Sequence, residues 1–255
     1  MIENIVVTVV LIFLTFNTNA QHDTIHLKKN VNSTGKYHIN SKEETIINVL
    51  VDSRDGNIYK VVQIGEQIWM AENLKYLPNV VGSSAGSETK PYYYVSGYQG
   101  TNVSEAKTHI NYKTYGVLYN WSAVMNGDAS STTNPSGVQG ICPCGWHLPS
   151  DAEWTQLTYY LDLSVAGGKL KEAGTTHWDS PNTGATNETG FTALPGNYRN
   201  DDGVFVTIGE DCDLWSATEK DVNYAWFRNI HYNDRDVGRN NFNKEIGFSV
   251  RCIKN

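Results

Sequence analysis

Carboxylates are the first residues in this chain whose types and spacing suggest chemistry. Asp201, Asp202, Glu210 and Asp211 fall within eleven positions. A pair of carboxylates can hydrolyse a glycosidic bond, and their separation in space decides the mechanism. Linear spacing does not set that separation, so a solvated loop is the simpler reading. Trp178, Tyr198 and Trp215 lie in or beside the same Gly/Asn/Asp-rich segment, 174–215. Aromatic faces with amide and carboxylate neighbours bind sugars or peptides by apolar stacking and placed hydrogen bonds. Trp178, Tyr198, Arg199, Asp201, Asp202 and Trp215 are therefore the candidate ligand-binding residues. The competing reading is that each aromatic belongs to the core.

No catalytic constellation stands out. Ser216 and Ser249 lie outside a G-x-S-x-G elbow. His147, between Trp146 and Leu148, reads as a structural histidine, because the sequence marks no triad partners for it. His22, His26 and His38 read as surface residues. Asp52 and Asp55 read as a turn, since the acidic ladder of an EF-hand loop is missing. No catalytic residue, metal ligand or cofactor is expected.

The four cysteines are Cys142, Cys144, Cys212 and Cys252. An even count in an exported chain suggests two disulfides, and four cysteines allow three pairings. A Cys142–Cys144 bond would close a very tight loop. The paired C-x₂-C spacing of zinc sites is missing. Export is expected from residues 1–20. Ile5 to Phe16 is an apolar run broken only by Thr8 and Thr15, and Thr18-Asn19-Ala20 supplies small residues for a cleavage site before Gln21. The run is short for a membrane span. With a net charge of −7 and no basic run, nucleic acid is excluded as an expected partner.

These residues need elements to position them. The clearest lies at Ile141–Trp154, where a loop stiffened by Cys, Pro and Gly runs into a helix. Ser150 and Glu153 have capping-box spacing, and Trp154, Leu157 and Leu161 form one apolar stripe. A second helix is expected over 116–125 and a helical turn over 167–173. Residues 57–64 and 67–71 flank Gly65-Glu66 as a hairpin, 46–51 is an apolar run closed by a turn signal at 52–56, and 92–94 reads as a short Tyr-rich strand. Further strands are expected at 190–194, 204–208, 212–217, 223–232 and 246–253. Residues 21–44 are polar and aperiodic and read as a flexible stalk. The expected organisation is a signal peptide at 1–20, the stalk at 21–44 and one domain at 45–255. Its order of elements gives an α+β class with mostly antiparallel sheets, two main helices and long loops.

The domain resembles the Fibrobacter succinogenes major paralogous domain. The segments that carry the resemblance are D-G-N-I-Y-K-V-V-Q-I-G-E-Q-I-W-M-A-E-N-L (55–74), Y-G-V-L-Y-N-W (115–121), I-C-P-C-G-W-H-L-P-S-D-A-E-W (141–154), G-G-K-L-K-E-A-G-T-T-H-W (167–178), G-A-T-N-E-T-G-F-T-A-L-P-G-N-Y-R (184–199), L-W-S-A-T-E (214–219) and G-F-S-V-R-C-I (247–253). The resemblance implies a C-type-lectin-like fold and an exported or surface location. It also implies a Cys142–Cys252 disulfide, which leaves Cys144 to pair with Cys212. The lectin calcium triplets are absent, and Tyr232-Asn233-Asp234, a weak echo of one, reads as a hairpin turn. The expected role is a secreted or cell-surface, non-catalytic binding or adhesion module for an extracellular glycan or surface protein, with no membrane span after cleavage. The alternatives are an enzyme of the formylglycine-generating or carbohydrate-processing kind, and a structural surface protein.

Overall fold

The computed structural model describes residues 36–38, 46–206 and 208–255. The expected signal peptide and most of the expected stalk lie outside the described residues. Within the stalk range, Lys36–His38 forms a strand, β1, antiparallel to β2 (Ile46–Val51).

The hairpin at Gly65 forms as its composition suggests. β3 (Ile58–Ile64) pairs antiparallel with β4 (Gln67–Met70), with Ile64 opposite Gln67. Gly65 has φ +59°, a value that favours glycine in a tight turn. β5 (Tyr93–Tyr94) pairs with β6 (Leu118–Tyr119). Two short helices, α1 (Val103–Ala106) and α2 (Ile110–Tyr115), lie between them.

The helix expected over 116–125 is shorter than its apolar spacing suggests. Leu118 belongs to β6, and α3 covers only Trp121–Met125. Asn120 causes the split: its side chain accepts from Ala123 N and caps the helix there. Leu118, Trp121 and Met125 are all buried, so the apolar spacing reports burial across two kinds of element.

After β7 (Trp146–His147) comes α4 (Asp151–Tyr160), the longest helix among the described residues. Its capping box is complete. Ser150 Oγ accepts from Glu153 N at 3.1 Å, and Glu153 Oε2 accepts from Ser150 N at 2.9 Å. Trp154, Leu157 and Leu161 are buried as one stripe. The expected turn at 167–173 appears as α5 (Ala166–Leu170).

Three long strands follow. β8 (Asp211–Glu219) pairs antiparallel with β9 (Tyr224–His231), and β9 with β10 (Gly238–Asn243). β10 was not expected, because G-R-N-N-F-N carries little apolar signal. The Asn233-Asp234 turn sits between β9 and β10, as its composition suggests. The candidates at 190–194 and 204–208 are reduced to isolated bridges at Ala193 and Phe205. The final candidate, 246–253, ends in β11 (Ile253–Lys254).

The molecule is α+β, with antiparallel pairing in all three sheets. The largest has the order β1-β2-β3-β4-β11-β7; β10-β9-β8 and β5-β6 are separate. Residues 247–253 join all three. Phe248 bridges Tyr119 on β6, Ser249 bridges Leu214 on β8, and Ile253 lies between Trp69 on β4 and His147 on β7. Two apolar clusters fill the interior. One gathers Tyr119, Trp121, Trp215, Phe227 and Phe248; the other holds Trp69, Trp154, Trp178 and Phe191.

The Cys142–Cys252 disulfide is present and spans 110 positions. The second expected disulfide is not: Cys144 and Cys212 are both free. Cys212 faces the second apolar cluster with Leu214 and Ile230, whereas Cys144 lies in an exposed turn. Burial pushes the Cys212 thiol up to about 12, so it is a packing residue at neutral pH.

Candidate ligand-binding site

Alternation along β8, β9 and β10 builds one polar and aromatic surface. Side chains on a strand point to opposite faces in turn. Asp211 and Asp213 therefore share a face of β8, as Phe227 and Asn229 do on β9 and Asn240 and Phe242 on β10. The register aligns them: Asp213 stands opposite Asn229, Asp211 opposite His231, and Asn240 opposite Phe227. Gly238 stands opposite Asn229 and adds no side chain there.

Tyr198 and Phe248 close this face into a cleft of about 330 Å³. The Tyr198 ring centroid lies 5.5 Å from Phe248 and 6.3 Å from Phe242, and Phe227 lies 4.4 Å from Phe248. Asn229 Nδ2 donates to Asp211 Oδ1 at 2.9 Å and to Asp213 Oδ1 at 2.7 Å. Burial, reinforced by the Asp211 charge, pushes the Asp213 carboxyl up to about 8, against the Asn229 hydrogen bond. Asp213 is therefore protonated at neutral pH. Tyr198 is shifted upward by burial and by the neighbouring Asp213 and Asp211 charges. Beside the cleft, Glu210, Asp211 and His231 place one ligand atom each within 4.8 Å of one another, a group able to hold a metal ion.

Of the six residues singled out from sequence, only Tyr198 lines this cleft. Trp178 and Trp215 are core residues, with side chains 2 % and 0 % exposed. Their indole N–H groups donate to Ala193 O at 2.9 Å and Tyr119 O at 2.8 Å, which satisfies the only polar atom each side chain carries. Arg199 is also buried; it donates to Ser83 O at 2.8 Å and Glu245 O at 3.2 Å and ties two loops together. Asp201 and Asp202 sit exposed in a turn, where Asp202 Oδ1 accepts from Val204 N at 2.9 Å. The reading of Trp178, Trp215 and Arg199 as ligand contacts is thus corrected, because water and ligand cannot reach them.

Sequence reasoning missed Asp213, Asn229, Asn240 and Phe242. The signal was there as a period of two: D-C-D in β8, F-R-N-I-H in β9 and N-N-F in β10.

His147 is structural. Its Nε2 lies 2.6 Å from Glu153 Oε1 and its Nδ1 lies 2.7 Å from Asn255 Oδ1. Burial alone would lower its pKa, but the Glu153 hydrogen bond and charge outweigh burial and raise it. A cavity of about 550 Å³ adjoins the pair, yet Glu153 Oε2 is also occupied, by Ser136 N and Ser150 N.

Among the described residues, no helix is long and apolar enough to cross a membrane. No curated protein and no solved structure matches the chain. The family model of the Fibrobacter succinogenes major domain matches residues 62–254, which include every residue of the cleft and both half-cystines. On that match the chain belongs to the Fibrobacter succinogenes major domain family.

Proposed function

We propose that this chain is an exported, non-catalytic binding module on a C-type-lectin-like scaffold, and that the cleft over β8–β10 takes a neutral saccharide. The cleft itself carries the reading. Tyr198, Phe227, Phe242 and Phe248 supply aromatic surface, and Asp211, Asn229 and Asn240 supply the hydrogen-bonding edge. Sugars are held by this combination of stacking and placed polar groups. Among the described residues, neither the Tyr198 hydroxyl nor the Asn240 amide has a side-chain hydrogen-bond partner, so both are free for a ligand. The Asp211 charge disfavours an acidic sugar here. A disulfide suits an oxidising compartment, which supports export. Short sheets joined by long loops, with a late strand tied to the middle of the chain by that disulfide, support the lectin-like scaffold.

The test is a glycan array followed by calorimetry with Tyr198→Ala and Asn240→Ala. A neutral saccharide should bind, and each substitution should weaken it at least about tenfold, on the order of the 1.4 kcal/mol that a tenfold change represents. Absence of binding across the array, or binding unaffected by both changes, would overturn the reading.

One observation favours a second reading, a carbohydrate-processing enzyme. Asp211 and Asp213 share one Asn229 nitrogen, and burial pushes the Asp213 carboxyl up to about 8. Two neighbouring carboxyls, one of them held protonated by burial, are the parts a glycoside hydrolase uses. Saccharide hydrolysis that disappears in Asp213→Asn would favour it. A thiol oxidase that needs a reactive cysteine pair has less support, because of the two free cysteines Cys144 is exposed but Cys212 is buried and protonated.

A further inference from the structure

A third cavity, of about 470 Å³, opens between the β3–β4 hairpin and the 190–194 segment. It is lined by Lys60, Lys75, Lys113 and Arg251, against one carboxylate, Glu72. That balance is opposite to the chain as a whole, whose net charge is −7. Among the described residues, Lys60, Lys75 and Lys113 form no salt bridge; those present engage other cations, such as Lys169 with Glu188 and Lys244 with Glu219. Glu72 Oε2 is already engaged by the backbone N–H of Lys60 at 2.9 Å.

Arg251 is the more unusual of the four. It is 1 % exposed, and its hydrogen bonds go to neutral acceptors: Nε to Asn73 Oδ1 at 2.9 Å, Nη1 to Phe191 O, and Nη2 to Thr192 O at 2.8 Å. Two of its five N–H groups have no partner among the described residues. A buried charge is costly unless it is paired, and this one has no carboxylate in contact. Burial lowers its pKa to about 10, so it keeps its charge at neutral pH.

We infer that this cavity binds the carboxylate of an acidic saccharide, with Lys60, Lys75 and Lys113 gathering the anion above the fixed charge of Arg251. The volume falls in the small-molecule range and exceeds what a lone oxyanion fills. The walls combine Thr114, Thr192 and Asn73 with Val62 and Leu194, a mixture suited to a sugar ring. The overall negative charge argues against long polyanions, which would meet repulsion outside the cavity. The site is separate from the β8–β10 cleft and stands or falls independently of it.

Calorimetry on the purified full chain tests it with three ligands: a uronic-acid trisaccharide, its carboxyl-reduced neutral counterpart, and inorganic phosphate. The trisaccharide should bind, the neutral counterpart at least about tenfold more weakly, and affinity should fall steeply as salt screens the lysines. Lys60→Gln, Lys75→Gln and Lys113→Gln together should cost at least about tenfold in affinity. These changes lie at exposed or half-exposed positions, and the melting temperature checks that the fold survives. Lys107→Gln, which removes the same charge elsewhere, should leave affinity unchanged. Equal binding of the neutral counterpart, no binding of the uronate, or phosphate binding as tightly as the uronate would each overturn the inference. So would a triple variant that remains folded and binds normally.

Discussion

Reducing the Cys142–Cys252 bond should destabilise the domain strongly while leaving it chemically intact elsewhere. The bond closes a loop of 110 positions. Loop-closure entropy for about 100 residues is worth about 4.7 kcal/mol, carried by the unfolded state. In a domain of this size each kcal/mol moves the melting temperature by about 2–4 °C, so the loss should be roughly 10–20 °C. Calorimetry with and without a phosphine reductant reads it directly, and Cys142→Ser with Cys252→Ser should reproduce the reduced value. Alkylation of the unreduced protein should then label Cys144 at once and Cys212 only after unfolding, because Cys144 is exposed and Cys212 buried. A melting temperature unmoved by reduction would refute the reasoning about the loop. A Cys144–Cys212 peptide in the unreduced digest would refute the cysteine assignment itself.

Stability should fall as pH rises from about 4 to 8, since native Asp213 holds its proton to about 8 and the unfolded chain releases it near 3.8. At about 1.4 kcal/mol per pH unit this single group contributes at most ~6 kcal/mol, and urea midpoints for Asp213→Asn should lose that slope. Trp178→Ala and Trp215→Ala should each cost about 3–5 kcal/mol in denaturant unfolding through cavity formation, and a ligand-selective defect in a stably folded variant would contradict their burial. Ser150→Ala should cost about 1–2 kcal/mol, because it removes the acceptor for Glu153 N from a buried cap; an unchanged midpoint would show that another group takes its place.

Local chemistry was the legible part of the sequence. The capping box at Ser150 and Glu153 and the hairpin at Gly65 depend on residues within a few positions of one another, and both form as read. The class, α+β with antiparallel pairing, follows from the same local signals. The site was harder to read because it depends on register. Asp213 and Asn240 sit on different strands, and only the pairing of β8, β9 and β10 brings them to one cleft. Trp178 and Trp215 misled because an aromatic among Gly, Asn and Asp looks the same whether the loop is packed or open. Cysteine parity misled in another way: a free thiol inside an apolar cluster is an ordinary packing residue, and no count distinguishes it from half a disulfide.

Residues 247–253 touch all three sheets, and that arrangement separates the order of synthesis from the order of folding. A ribosome delivers β3, β4, β7 and β8 well before the strand that lies among them. Until Ile253 arrives, β4 and β7 keep bare edges facing one another, open to the pairing with foreign strands that leads to aggregation. Pairings over such long sequence separations are also slow to form. The chain therefore waits, largely unclosed, until residues 247–253 are made, and the waiting form is one that a chaperone would need to guard.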